Sequence, residues 1–230
     1  MKSKLPNTFK GLKNLNSADQ EDSLINSLKN EPLIIVLRPE KEDWENNKFI
    51  DKWLSIVDNI NTLGLHHIEI AWFPHRKWVE LIESIQKLFP KIYLGAASIT
   101  SLESLIAVKR IGLEYAMSPF WDAKLIDKSK ELNQLLIPGA FSPTEIKKAI
   151  SYGSRIIKIY PVSSLGINYL SQIKSILPSS IFFIGAGGLT IDDLCPCINS
   201  GYDAIAIGRK LSTKKLTYRY LEESFAKLRK

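Results

Sequence analysis

Eight short apolar runs, each followed by a polar loop and an amphipathic segment, recur from residue 32 at a spacing of about 25 residues, and no other feature limits the possible folds so tightly. The first run, Pro32-Leu33-Ile34-Ile35-Val36-Leu37, lacks any polar alternation, the mark of a parallel strand buried on both faces. The others fall at 67–71, 92–96, 114–118, 135–138, 155–160, 181–184 and 204–207. Between them apolar residues return at helical spacing, as in Phe49, Ile50, Trp53, Leu54, Val57 and Ile60. Further helices are predicted over about 78–88, 102–111 and 124–130, and from the Ser142-Pro143-Thr144-Glu145 start to Gly153. Two more are expected, one marked by Ile167, Leu170, Ile173 and Leu177, the other running from Thr190 to Gly201. An open doubly wound sheet rarely needs eight regular units, whereas a (β/α)8 TIM barrel requires them. The expected fold is therefore an α/β barrel.

Ahead of the first strand, Ser17-Ala18-Asp19-Gln20 has capping-box spacing, and Leu24, Ile25 and Leu28 share one helical face. This N-terminal helix is expected to close the N-terminal mouth of the barrel. Residues 1–16 are basic and aperiodic and read as a flexible arm, while residues 17–230, with no linker-like stretch, read as a single barrel domain. No apolar run approaches the length of a membrane span, and Lys2, Lys4, Lys10 and Lys13 have no apolar segment behind them, so a cytoplasmic, non-membrane protein is expected. Cys195 and Cys197 lack the second Cys/His pair that a zinc site needs and read as reduced thiols.

The net charge of +7 raises nucleic acid as a partner, but six of the seven excess charges lie between Arg209 and Lys230. Eight Lys/Arg stand there against Glu222 and Glu223, the pattern of a solvated terminal helix face, and nucleic acid is not the expected partner.

Enzymatic barrels keep their chemistry at the C-terminal ends of the strands. That filter selects Arg38, Glu69, Ser98, Ser118-Pro119, Pro138-Gly139, Lys158 with Tyr160, Gly185-Ala186-Gly187-Gly188 and Gly208-Arg209-Lys210. In Ile156-Ile157-Lys158-Ile159-Tyr160, alternation sets Ile157 and Ile159 on one face and leaves the lysine with Ile156 and Tyr160 on the other. Desolvation lowers the pKa of such a lysine and frees its amine to attack a carbonyl. The plainer reading is an edge lysine whose stem carries the amine to water. In His67-Ile68-Glu69-Ile70-Ala71 the same alternation points Glu69 into the barrel, where Lys158 is its natural partner. A structural ion pair is the alternative, but buried pairs are weak stability devices and a lysine with a carboxylate suits carbonyl chemistry. The Gly187-Gly188 turn before Thr190 offers backbone N–H groups to an anion, with Gly208-Arg209-Lys210 as the other half of the cradle.

Taken together, Leu33–Arg38, Ile68-Glu69-Ile70, Gly95-Ala96-Ala97-Ser98, Ser118-Pro119, Pro138-Gly139, Ile157–Pro161 and Gly187–Thr190 resemble the 2-keto-3-deoxy-6-phosphogluconate and 4-hydroxy-2-oxoglutarate aldolase family, including its 6-phosphogalactonate branch. The order and spacing match from about residue 32 to 211. The resemblance implies a class I aldolase, an aldehyde-lyase without cofactor or metal, in a barrel that assembles as a homotrimer. Lys158 would form the Schiff base with the C2 carbonyl of a keto acid and Glu69 would shuttle protons. Arg38, Ser98, Pro119, Pro138, Tyr160, Gly187, Gly188, Gly208 and Arg209 would bind substrate, a small keto acid or sugar-acid phosphate.

Departures are also visible. Phe73 replaces the arginine that follows the catalytic glutamate by four residues in the gluconate branch, which leaves Arg38 to grip a carboxylate. Trp72, Phe73, Phe120 and Trp121 are expected to make the mouth bulky and apolar. A catalytically altered barrel that binds a phosphorylated or keto-acid metabolite as a sensor or partner protein is the alternative function.

Overall fold

The computed structural model describes residues 17–208. Its strands are β1 (Leu33–Leu37), β2 (His67–Ala71), β3 (Tyr93–Ala97), β4 (Tyr115–Met117), β5 (Leu136–Ile137), β6 (Gly139–Ala140), β7 (Ile156–Ile159), β8 (Phe182–Ala186) and β9 (Ala204–Ile207). All pair in parallel, in the order β5-β4-β3-β2-β1-β9-β8-β7-β6. The two ends of this order, β5 and β6, are separated in sequence by Pro138 alone. They are two halves of one barrel strand, so the sheet returns on itself with the eight strand positions expected. Proline has no N–H to give to a ladder, yet its carbonyl still accepts from Lys158 N–H at 2.9 Å, while Ile137 O accepts from Ser118 N–H at 3.0 Å. The interrupted strand thus joins its neighbours on both sides.

Period-two alternation divides the strand residues between two cores. Outward-facing Ile35, Ile68, Ile70, Leu94, Ile157 and Phe183 join the large cluster formed with the helices. The helices of that layer are α2 (Lys41–Glu45), α3 (Phe49–Thr62), α4 (Arg76–Leu88), α5 (Leu102–Ile111), α6 (Ala123–Glu131), α7 (Pro143–Ser151), α8 (Val162–Leu165), α9 (Tyr169–Ile173) and α10 (Leu194–Asn199). Trp53, Val57, Trp78, Leu81, Leu105 and Ile146 are among their contributions. Inward-facing Ile34, Tyr93, Tyr115, Met117, Ile156 and Phe182 form a second cluster inside the barrel.

The helix ahead of β1, α1 (Ser17–Asn30), does close the N-terminal mouth, because its Leu24 and Leu28 are wholly buried in the inner cluster. Strand starts leave backbone N–H groups without ladder partners, and a buried N–H needs an acceptor. Helix α1 and the turn after it supply them. Glu21 Oε1 accepts from Arg155 N–H (3.0 Å) and Ile156 N–H (3.2 Å), and Glu31 Oε1 accepts from His66 N–H (2.7 Å). Gln20, expected in a capping box, turns its amide oxygen to Leu135 N–H at 3.3 Å.

Two predicted helices are shorter than their periodicity implied. Ile167, Leu170, Ile173 and Leu177 do not share one helix: α9 ends at Ile173 and a 3₁₀ turn covers Lys174–Ile176. Of this segment Leu170 alone is fully buried and Ile176 is 73% exposed, so no continuous apolar stripe holds a longer helix against the sheet. Thr190 caps the 3₁₀ turn Ile191–Asp193 rather than an α-helix directly, and α10 follows it. The basic arm of residues 1–16 and the charged segment from Arg209 to Lys230 lie outside the described residues.

Candidate active site

The C-terminal ends of the strands surround a cavity of about 380 Å³. Glu69 enters it from β2, Lys158 from β7, and Arg38 and Ser98 from the residues just after β1 and β3. Pro119, Tyr160, Gly187, Gly188 and Gly208 also line it. The structure thus brings together nine residues singled out from the sequence. Pro138 is not in the lining and serves the ladder through its carbonyl. Arg209 lies outside the described residues.

Lys158 is 7% exposed and Glu69 is 2% exposed, so both are charged groups held almost without solvent. They do not close on each other as the structural ion pair of the alternative reading would: among the described residues no contact-distance pair joins them, and Glu69 Oε1 has no hydrogen-bond partner. The lysine amine instead stands 5.4 Å from the centre of the Tyr160 ring, facing the cavity. Burial pushes the Lys158 amine below its ordinary range; Glu69 partly restores it and Arg38 pushes it down again. Burial likewise pushes the Glu69 carboxyl up, against the pull of Lys158, Tyr115 and Arg38. Burial thus drives the two groups toward each other in proton affinity.

Arg38 Nη1 donates to Ser98 Oγ at 2.9 Å, which orients the guanidinium. Ser98 holds this place with φ at 63°, a left-handed conformation uncommon outside glycine and found where a site over-determines the backbone. The cavity therefore carries two basic side chains, Arg38 and Lys158, against one acidic one, and suits an anionic ligand.

Gly187 and Gly188 both have positive φ, 91° and 74°. A Cβ on Gly187 would lie 2.7 Å from Pro161 Cβ, and one on Gly188 would lie 2.4 Å from Ser163 Oγ. The pair is thus needed to seat the turn after β8 against the loop after β7, which is also tied by Ser163 N–H donating to Gly187 O at 3.0 Å. Thr190, expected to open an anion-binding helix start, spends its N–H and hydroxyl on Asp193 Oδ2 at 2.7 and 2.9 Å. An anion would meet the glycine turn, not Thr190.

The aromatic mouth expected from the sequence does not form. Phe73 stacks on Trp44 at 5.0 Å, Trp72 packs edge-on against Trp78 at 4.8 Å, and Trp121 packs against Tyr152 at 5.3 Å. These three sit in the helical layer, Phe120 is 41% exposed, and none of the four lines the cavity. Phe73 therefore does not fill the cavity. Sequence reasoning also passed over Tyr115, whose buried hydroxyl lies near enough to Glu69 to favour the carboxylate, without the geometry of a full hydrogen bond. Among the described residues no group of three His, Cys, Asp or Glu side chains could hold a metal ion, and no helix is long and apolar enough to cross a membrane.

Residues 24–222 match the family model described as KDPG and KHG aldolase. The chain is 26% identical over 181 residues to the 2-dehydro-3-deoxy-6-phosphogalactonate aldolase of Escherichia coli, which spans 78% of this chain and 84% of that protein. It also resembles a native KDPGal structure, with a TM-score of 0.72 at 24% identity, covering 85% of this chain and 95% of the other. A KDPG aldolase from Legionella pneumophila, solved with pyruvate captured as a covalent carbinolamine, superposes with a TM-score of 0.67 at 17% identity over 84% of this chain and 92% of that one.

Proposed function

Because the chain belongs to the KDPG and KHG aldolase family, we propose that it is a class I aldolase, an aldehyde-lyase that cleaves a 2-keto-3-deoxy sugar acid 6-phosphate, or 4-hydroxy-2-oxoglutarate, to pyruvate and an aldehyde. The observation that carries this reading is the pairing of a desolvated lysine with a desolvated carboxylate in one cavity, neither closed on the other.

The neutral Lys158 amine attacks the C2 carbonyl of the substrate and forms a carbinolamine. Glu69, whose proton affinity burial raises, gives a proton to the departing hydroxyl, and loss of water leaves a protonated imine. The Glu69 carboxylate then takes the proton of the C4 hydroxyl as the C3–C4 bond breaks. The electron pair of that bond enters the imine, giving an enamine on Lys158 and a free aldehyde. Protonation at C3 and addition of water return pyruvate and the amine.

Arg38, held by Ser98, grips the C1 carboxylate. Pro119 and Tyr160 flank the chain of the keto acid, and the Gly187-Gly188 turn, Gly208 and Arg209 meet the phosphate. Pro138 acts through the position it gives β7. The family relationship supports a homotrimer and a cytoplasmic setting, and both are part of the proposal.

The test is to incubate the protein with pyruvate, reduce with borohydride and weigh it. A single reduced adduct on Lys158 is expected in the wild type and none in Lys158→Ala. An unmodified wild-type mass would sink the aldolase reading.

A further inference from the structure

The strand register places Glu69 opposite Gly95 and Gly95 opposite Tyr115, so these residues occupy one level of the barrel on β2, β3 and β4. Strands lie about 4.8 Å apart, which puts Tyr115 two spacings from Glu69. A tyrosine can cross that gap only if the residue between leaves the way open. Gly95 does: a Cβ there would stand 2.4 Å from Tyr115 Cζ, the ring carbon that bears the hydroxyl. The tyrosine ring therefore lies across the β3 backbone, in the place of a missing side chain, and its oxygen projects toward β2.

Three groups face Glu69: Lys158 from β7, Arg38 from the end of β1, and Tyr115 from β4. Tyr115 is faced by Glu69, by Tyr93 from β3 and by its neighbour Glu114. Tyr115 is wholly buried and, unlike Lys158 and Arg38, does not line the cavity. On the aldolase reading, on which this inference rests, Lys158 and Arg38 are both engaged by substrate during turnover. Tyr115, whose hydroxyl lies beside the carboxylate without the geometry of a full hydrogen bond, is then the polar group left with it.

We propose that Tyr115 is a positioning residue for proton transfer, its hydroxyl donating to Glu69 from beneath the cavity and leaving the second carboxylate oxygen to face the substrate. The tyrosine keeps its proton throughout, because burial and the adjacent carboxylate hold the phenol well above its ordinary range. Its effect is to favour the ionised form of Glu69, the form needed to receive the C4 hydroxyl proton.

Tyr115→Phe keeps the ring over Gly95 and removes only the donor. In protein labelled with 13C at the glutamate carboxyl, the Glu69 signal, assigned by its loss in Glu69→Gln, is followed against pH without substrate. Its midpoint is expected to rise by about one pH unit in Tyr115→Phe, the effect of losing one hydrogen bond to a charged group. Gly95→Ala, whose methyl would displace Cζ, is expected to shift the midpoint in the same direction. In parallel, deuterium uptake at the pyruvate methyl is measured against pH. Its acid limb is expected to move upward in Tyr115→Phe while pyruvate trapping on Lys158 persists. An unchanged carboxyl midpoint, or an acid limb that stays in place while the rate merely falls, would overturn the proposal. A wild type that traps no pyruvate would count against the aldolase reading, and the carboxyl midpoint would still decide the Tyr115–Glu69 contact.

Discussion

Acid should loosen this protein from the sealed end of its barrel, and His67 is the group through which that effect can be measured. Its side chain is 1% exposed; Nε2 meets Ser27 Oγ of α1 at 3.0 Å, and the ring stacks on Tyr93 at 5.5 Å. Nδ1 has no partner, so a second ring proton would be buried without an acceptor. Burial lowers the His67 pKa from 6.5 to about 4, Glu31 opposing the shift and His66 adding to it. Between those two values the unfolded chain binds a proton that the folded chain refuses. Stability is therefore full above pH 6.5 and falls as pH drops toward 4. A shift of this size corresponds to about 3 kcal/mol, at roughly 1.4 kcal/mol per pH unit. Glu21, Glu69 and Asp203 have raised values and act in the opposite sense, which is why a difference between two proteins is needed. Urea unfolding of wild type and His67→Gln is compared at pH 7, at about 5.5 and at about 4.5. The variant's stability relative to wild type is expected to improve steadily with acidification, by about 2 to 3 kcal/mol across the range. Parallel curves would refute the argument, since they would mean that His67 takes up its proton as readily folded as unfolded.

Two further outcomes follow from the cavity walls. Arg38→Ala removes the guanidinium proposed to grip the keto-acid carboxylate, a charge-assisted contact whose loss should raise the pyruvate concentration for half-maximal trapping by about 10- to 100-fold. Arg209→Ala should do less, and the reverse order would mean that the carboxylate has been assigned to the wrong arginine. Gly187→Ala would combine a disfavoured positive φ with a contact 2.7 Å from Pro161 Cβ, and is expected to lower stability by about 2 to 4 kcal/mol in urea unfolding. A neutral outcome there would show that the two loops part at little cost.

Alternation alone was enough to turn Glu69 and Lys158 inward, because in a strand flanked by helices the isoleucines have only one apolar layer to join. The residues just beyond each strand end were harder to read. Ser98 and Gly187 line the cavity, while Trp72 and Phe73, equally close to a strand end, turn outward and pack on Trp78 and Trp44. Direction there is set by tertiary partners that sequence distance does not encode. Helix α2 was missed because five residues carry too little periodicity, although the Glu40 and Asp43 of its capping box and the buried Trp44 are visible afterwards. Tyr115 reads from the sequence as an ordinary strand aromatic. Its meaning depends on pairing with Gly95, and register is not apparent until the barrel closes.

The plug beneath the barrel sets the traffic rules of the chamber above it. Leu24, Leu28, Tyr93 and Ile156 close the floor, and side chains of α1 accept from the strand-start N–H groups at Arg155 and Leu135. On the proposed function, water released when the imine forms, and a proton that Glu69 exchanges with solvent, share the opening through which the keto acid arrives, since the described residues close the floor. A substrate held at Arg38, as proposed, would then be its own stopper, and the protons in circulation would be those already inside.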